Sequence, residues 1–212
     1  AVKLALISSN PADKIERPKK ERFMANFYDA DEVNRLFEIS KGTKLEIPIL
    51  FGAFYGMRRS ETLGMKWDAI DFERDTITIR HTLTTVALDG KRITVAEDRT
   101  KNKSSMRTLP LVPFVKERLL ELKAEQEENR RLCGRSYVKD YTGYVCINEI
   151  GDIIKPNYVS CGFPKLLEEH GLRRVRYHDL RHSCASLLLA NGVPMKQIQE
   201  WLGHSDFSTT AN

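Results

Sequence analysis

The stretch YHDLRHSCASLLLANG, residues 177–192, decides how the chain is read. Leu180, Cys184 and Leu187 recur at helical spacing beside Tyr177 and make one apolar stripe. Asn191-Gly192 stops the helix, because glycine takes the left-handed conformation that ends helices. The spacing therefore predicts a helix over 178–190. His178 and Arg181 are three apart, so they share a face near its N-terminus at the core edge. The partial positive charge there favours an anion. Arginine offers one phosphate a two-pronged fork, and histidine offers a hydrogen bond or a proton. A local role is equally open at this point, since both side chains can cap the helix or pair with Asp179.

Downstream, Pro194 starts another helix, with Met195, Ile198 and Leu202 inward and Gly203 ending it. LGHSD, 202–206, places His204 directly after that glycine, so a fixed turn holds its ring; a lone histidine is usually structural. Upstream, Pro156 opens a helix to about Glu169, which Gly171 closes. YVCI, 144–147, reads as a short strand. Pro113 suits the first turn of a long helix, 113–131, with Val115, Leu119 and Leu122 on one face. Nearer the start, Asp31 can cap a helix holding Val33, Leu36, Phe37 and Ile39. A second helix covers about 44–56, so apolar that it must be central, and Gly56 breaks it. A short third helix follows through Glu61, Leu63 and Met65.

Between these helices the period changes to two. DTITIRHTL, 75–83, alternates threonine with isoleucine and reads as a strand. LDGK, 88–91, is a hairpin turn that RITV continues, because Asp-Gly suits the type I′ turn. MRTLPL, 106–111, is a third strand. The fold class is α+β, mostly helical, with a small three-stranded antiparallel sheet. Residues 1–22 hold one or two helical turns and then NPADKIERPKKER, whose prolines and charges suit a linker.

Hydrophobic residues make up 41% of the 212 and charged residues 30%, which excludes wholesale disorder. The longest nearly apolar stretch, Ile47–Met57, falls short of the about 20 residues a membrane span needs. The start lacks a secretory signal pattern. Cys133, Cys146, Cys161 and Cys184 form no CxxC pair, so the expectation is four buried, reduced thiols in a cytosolic protein. The net charge of +5 gathers in three places, at 14–22, 99–107 and 171–182. Residues 116–131, with five basic and five acidic side chains, are neutral. Brought together, the three clusters would form a face that grips phosphates; apart, they are solvated loops.

Two further cues stand beside the histidine-arginine helix. In FYGMRRSETLGMKW, 54–67, Arg58 emerges after an apolar helix and a glycine break, and Glu61 is placed to orient its guanidinium. A surface Arg-Glu pair would read the same way. In TKNKSSMRTLPL, 100–111, Lys101 and Lys103 project from a loop, where lysines are normally just solvated.

Taken in order, YGMRRSETLGMKW, TKNKSSMRTLPL, YHDLRHSCASLLLANG and QEWLGHSDFSTTAN resemble the catalytic domain of the phage-integrase family, the tyrosine recombinases. The HxxR block and LGHSD carry most of the likeness. It covers about 23–212, with 1–22 resembling the end of an upstream core-binding domain and its linker. The resemblance implies catalytic roles for Arg58, Lys101, His178, Arg181 and His204, with Lys103 a less favoured alternative to Lys101. DNA contacts are expected from Lys103, Arg107, Arg173, Arg174 and Arg176. No metal and no cofactor are implied. The implied partner is double-stranded DNA, with four protomers on two duplexes and no membrane, for integration or excision of a bacterial mobile element. The family's nucleophilic tyrosine usually follows the LGH histidine by nine or ten residues, whereas only eight follow His204. None of the seven tyrosines occupies that slot, so the expectation is a tyrosine at 213 or 214 and a fragment, monomeric alone, that binds DNA without cutting it.

Two other readings compete. HDLRH, His178 to His182, has the i, i+4 spacing of a zinc hydrolase motif, although Asp179 is shorter than the usual glutamate and no third ligand is placed by pattern. The chain could also be a non-catalytic DNA-binding module that retains the fold.

Overall fold

Asp29, two residues before the aspartate expected to cap the first helix, is the one that opens it. In the computed structural model its carboxylate accepts from the backbone N–H of Glu32 at 2.9 Å. Glu32 in turn accepts from the N–H of Asp29 at 3.1 Å, and this reciprocal box fixes α1, Ala30–Ser40. The structure describes residues 2–4, 6–16, 26–88, 91–97 and 106–203. Before α1 it has single 3₁₀ turns at Val2–Leu4 and Pro11–Lys14.

The second helix, α2 (Glu46–Tyr55), is buried on nearly every side, as an all-round apolar helix must be. It packs on α1 and on α6 (Asp179–Ala190), so the central position read from its sequence is where it lies. Gly56 ends it at φ +59, and a Cβ there would fall 2.3 Å from Leu202 at the end of α7 (Met195–Leu202). Only glycine combines that backbone angle with that close approach. The short α3 (Arg59–Gly64) follows at once.

The β region divides differently from its pattern. A three-stranded antiparallel sheet is present, in the order β1 (Ile70–Asp71), β2 (Thr76–Ile79), β5 (Arg107–Pro110). The hairpin β3 (Thr82–Leu88) and β4 (Lys91–Glu97) stands apart as its own two-stranded sheet. The run 75–83, expected as one strand, breaks at Arg80-His81. Tertiary packing causes the break: α3 draws β3 towards it, and a Cβ on Gly64 would lie 2.6 Å from the Thr82 backbone. The tip of the expected LDGK turn, 89–90, lies outside the described residues, although Leu88 pairs opposite Lys91. The expected strand at 144–147 is absent. Only single bridges, Lys66 to Tyr144 and Ile147 to Ile153, form there, because the segment threads between elements rather than joining a ladder.

Two further helices, α4 (Pro113–Cys133) and α5 (Pro156–Glu169), begin on the prolines that predicted them. The main core surrounds α2, and a satellite of Cys184, Ile198 and Leu202 fastens α7 to α6. The thiols divide: Cys146 and Cys184 are buried, Cys133 is half-buried and Cys161 is exposed. Cys161 projects from the solvent side of α5, which the even spacing of cysteines could not reveal. All four are free. No helix among the described residues is long and apolar enough to cross a membrane.

Candidate active site

Arg181, the third residue of α6, is only 3% exposed. Its Nη1 donates to the Gly56 carbonyl at 2.5 Å and its Nη2 to the Leu202 carbonyl at 2.5 Å. One guanidinium thus ties the end of α2 to the end of α7. Arg58 lies two residues past Gly56, at the N-terminus of α3, so the glycine turn brings the two arginines together. The Arg58 side chain is 36% exposed and its Nη1 donates to Glu61 Oε1 at 2.7 Å. The Glu61 carboxylate also accepts from the backbone N–H of Arg58 at 2.9 Å. Glu61 orients the guanidinium as its spacing suggested.

A third guanidinium joins them. Arg107, expected on the DNA-facing surface, is buried instead. Its Nη2 and Nη1 donate to the two Glu61 oxygens at 3.1 and 3.4 Å, and its Nε donates to the Trp201 carbonyl at 2.6 Å. A signal for this was available: along β5 the burial alternates, which puts Arg107 on the same inward face as Leu109. Arg58 and Arg107 therefore share one buried carboxylate with Arg181 close by, and the cluster carries surplus positive charge. Burial alone would raise the Glu61 carboxyl, but Arg107 and Arg58 outweigh it and hold its pKa below the usual carboxylate range. Burial, with repulsion from Arg58, pulls Arg181 down to about 9. An anion placed against this pair relieves that repulsion.

His178 precedes α6 and faces solvent beside the pair. Desolvation, then the neighbouring His182 and Arg181, lower its pKa from 6.5, so the ring is neutral at pH 7 and free to take a proton. His182 meets it edge-on, with ring centroids 5.7 Å apart. The carboxylate of Asp179 is taken by Arg176, at 2.7 Å from Nη2 and 2.8 Å from its N–H. That pairing leaves His178 and Arg181 directed elsewhere. A cleft of about 820 Å³ opens alongside, lined by Arg59, Ser160, Arg174, Arg176 and His178 among others.

The remaining expected residues are placed unevenly. Arg174 lines the cleft. Arg173 binds both oxygens of Glu32, at 2.9 and 3.1 Å from Nη2, donates to the Phe27 carbonyl and covers the Tyr28 ring. Lys101, Lys103 and His204 lie outside the described residues. Gly203, just before His204, has the expected left-handed turn at φ +66. Tyr177 is adjacent to His178 but turns its hydroxyl into the core, donating to the Pro48 carbonyl at 2.6 Å, with Thr62 Oγ1 at 3.1 Å. Burial raises its pKa, which makes it a poor nucleophile. Among the described residues no group of three His, Cys, Asp or Glu side chains could hold a metal ion, and the zinc reading loses its ligand set.

The model of the phage integrase family matches residues 26–212. A XerC-like tyrosine recombinase from Caldanaerobacter subterraneus subsp. tengcongensis is 31% identical over 215 residues, covering 99% of this chain and 54% of that protein. A tyrosine recombinase XerA from Thermococcus onnurineus is 31% identical over 205 residues, covering 94% of this chain and 61% of that protein. The chain thus spans little more than half the length of these curated relatives. Among solved structures, the Tn1549 transposon integrase in complex with transposon right end DNA superposes with a TM-score of 0.77 at 19% identity, covering 100% of this chain and 69% of that one. A family match over most of the sequence, relatives 31% identical along it and a shared scaffold lead to one assignment: the chain belongs to the phage integrase family, the tyrosine recombinases.

Proposed function

We propose that this chain supplies the phosphate-activating part of a site-specific DNA recombinase. The chain's partner is double-stranded DNA, which the recombinase as a whole cleaves and rejoins through a 3′-phosphotyrosyl intermediate. The observation that carries this reading is the convergence of Arg58 and Arg181 beside a basic cleft, with more guanidinium charge than Glu61 neutralises.

In such a reaction a tyrosine hydroxyl attacks the phosphorus. A P–O bond to tyrosine forms, and the bond to the 5′-oxygen breaks. Negative charge grows on the non-bridging oxygens in the transition state, and preorganised cations stabilise it there more than in the ground state. Arg58 and Arg181 take that role, with His204 adding a hydrogen bond. Neutral His178 accepts the tyrosine proton, and Lys101 delivers one to the departing 5′-oxygen. Phosphodiester energy is kept in the covalent link, so the strands rejoin without a nucleotide cofactor. A tetramer on two duplexes and action in the cytoplasm belong to this proposal.

The test compares Arg58→Ala and Arg181→Lys with wild type in the gene product carrying these 212 residues. Cleavage of target DNA should fall about 10²–10³-fold, as on loss of one preorganised donor. DNA affinity should change no more than about threefold, because many phosphates share it. Equal losses in both assays would make these residues ordinary DNA contacts.

A further inference from the structure

Arg107 bridges parts of the site that are far apart in sequence. It comes from β5, six positions after Lys101. Two of its nitrogens hold Glu61, which itself holds Arg58, while its Nε holds the Trp201 carbonyl. The next carbonyl along, Leu202, is held by Arg181. The last two residues of α7 are thus each fixed by one guanidinium, at the helix end whose negative dipole favours cations. The chain then turns at Gly203 and proceeds to His204.

Unlike Arg181, which neutral carbonyls hold, Arg107 gives its charge to the buried Glu61 carboxylate and its Nε to the Trp201 carbonyl. Its charge acts through Glu61. With Arg107 present, that carboxylate is shared between two cations, and Arg58 keeps positive charge to offer a substrate. Without Arg107, Glu61 would answer Arg58 alone, and the α7 end would lose an anchor next to Arg181.

We infer that Arg107 is a positioning residue for DNA cleavage: it sets Arg58 through Glu61 and fixes the C-terminal turn of α7 through the Trp201 carbonyl. This rests on the recombinase reading proposed above. A misplacement of about 1 Å remote from the reacting atoms can cost about 100-fold in rate.

The experiment uses the gene product with Arg107→Met and Arg107→Lys. It measures single-turnover cleavage of target DNA, the dissociation constant for the same duplex, and the melting temperature. Arg107→Met should slow cleavage about 100-fold with DNA affinity changed less than about threefold. Arg107→Lys keeps the charge but loses the fork, and should recover at least about tenfold of that loss. Should Arg107→Met fail to fold, the Lys variant decides, with cleavage more than about threefold below wild type and binding unchanged supporting the role. Parallel loss of cleavage and binding would make Arg107 a DNA contact and overturn the inference. Cleavage within about threefold of wild type in the folded variants would overturn it too. If the wild-type protein cleaves no DNA, the recombinase reading fails and this inference falls with it; wild-type cleavage with indifferent variants sinks the positioning role alone.

Discussion

At the scale of single residues, the site is organised by what each polar side chain is denied. Tyr177 is denied solvent and spends its hydroxyl on Pro48 and Thr62, which pins the start of α6 against α2. Asp179 is denied to His178 and Arg181 by Arg176. His178 and His182 are denied full hydration, and burial is the leading cause that lowers both pKa values from 6.5. A histidine whose folded pKa lies below its unfolded one binds fewer protons when folded. Stability is then whole above pH 6.5 and drains away as the pH falls through the window below it. Carboxylates with lowered pKa values, Glu61 and Asp179 among them, add their own loss only at more acid pH. We predict that urea midpoints fall between about pH 7.5 and 5 in the wild-type chain, and fall less steeply in a His178→Asn, His182→Asn variant. Parallel slopes would mean that neither ring is desolvated. The HxxR pair was legible because chemistry and helical spacing coincided within four residues. Arg107 was misread because its neighbours in the sequence are loop lysines, whereas its neighbours in space are Glu61 and Trp201.

At the scale of elements, helix starts and stops were written locally and could be read locally. Pro113, Pro156, Gly192 and Gly203 act through backbone angles that depend on no distant partner. The strands were harder, because which strand joins which sheet depends on packing. Threonine and isoleucine alternate over 76–79 and the polar-apolar alternation resumes at Thr82-Leu83, so nothing local marks an end at Arg80-His81; the division into β2 and β3 comes from the docking of α3 on β3. Gly64 is the point of that docking, since a Cβ there would lie 2.6 to 2.8 Å from the backbone of Thr82 and Leu83. Backbone cannot rotate out of the way as a side-chain tip can. Gly64→Ala should therefore cost about 1–3 kcal/mol by overpacking. It should also weaken cleavage, because α3 carries Arg58 at its N-terminus and Glu61 within it. Chemical denaturation reads the first effect. A loss under about 0.5 kcal/mol would mean that α3 and β3 pack less tightly than these distances say.

At the scale of the whole molecule, charge has to be separated into what is spent internally and what is left for DNA. The sequence places four arginines within 171–182 and, having set Arg181 apart by its spacing from His178, gives no means of ranking Arg173, Arg174 and Arg176. The fold ranks them. Arg181 is oriented by two neutral carbonyls inside the arginine cluster, Arg176 is paired with Asp179, and Arg173 is taken by Glu32, Phe27 and the Tyr28 ring. Arg174 lines the cleft, and among the described residues no carboxylate lies within ion-pair distance of it. An arginine already neutralised must break its pair before it can displace a counterion from DNA, whereas an unpaired one displaces it outright. The dependence of affinity on salt counts such displacements, at about 0.9 in the logarithmic slope for each phosphate neutralised. Fluorescence anisotropy of a labelled duplex between about 50 and 200 mM salt would give these slopes for the wild-type chain and two variants. Arg174→Ala should flatten the slope by about 0.9. Arg173→Ala should change it by less than half as much, while lowering the melting temperature through loss of its ties to Glu32 and Phe27. Equal flattening by both variants would mean that the Glu32 pair opens on DNA, and that charges paired in the free protein still count toward its grip.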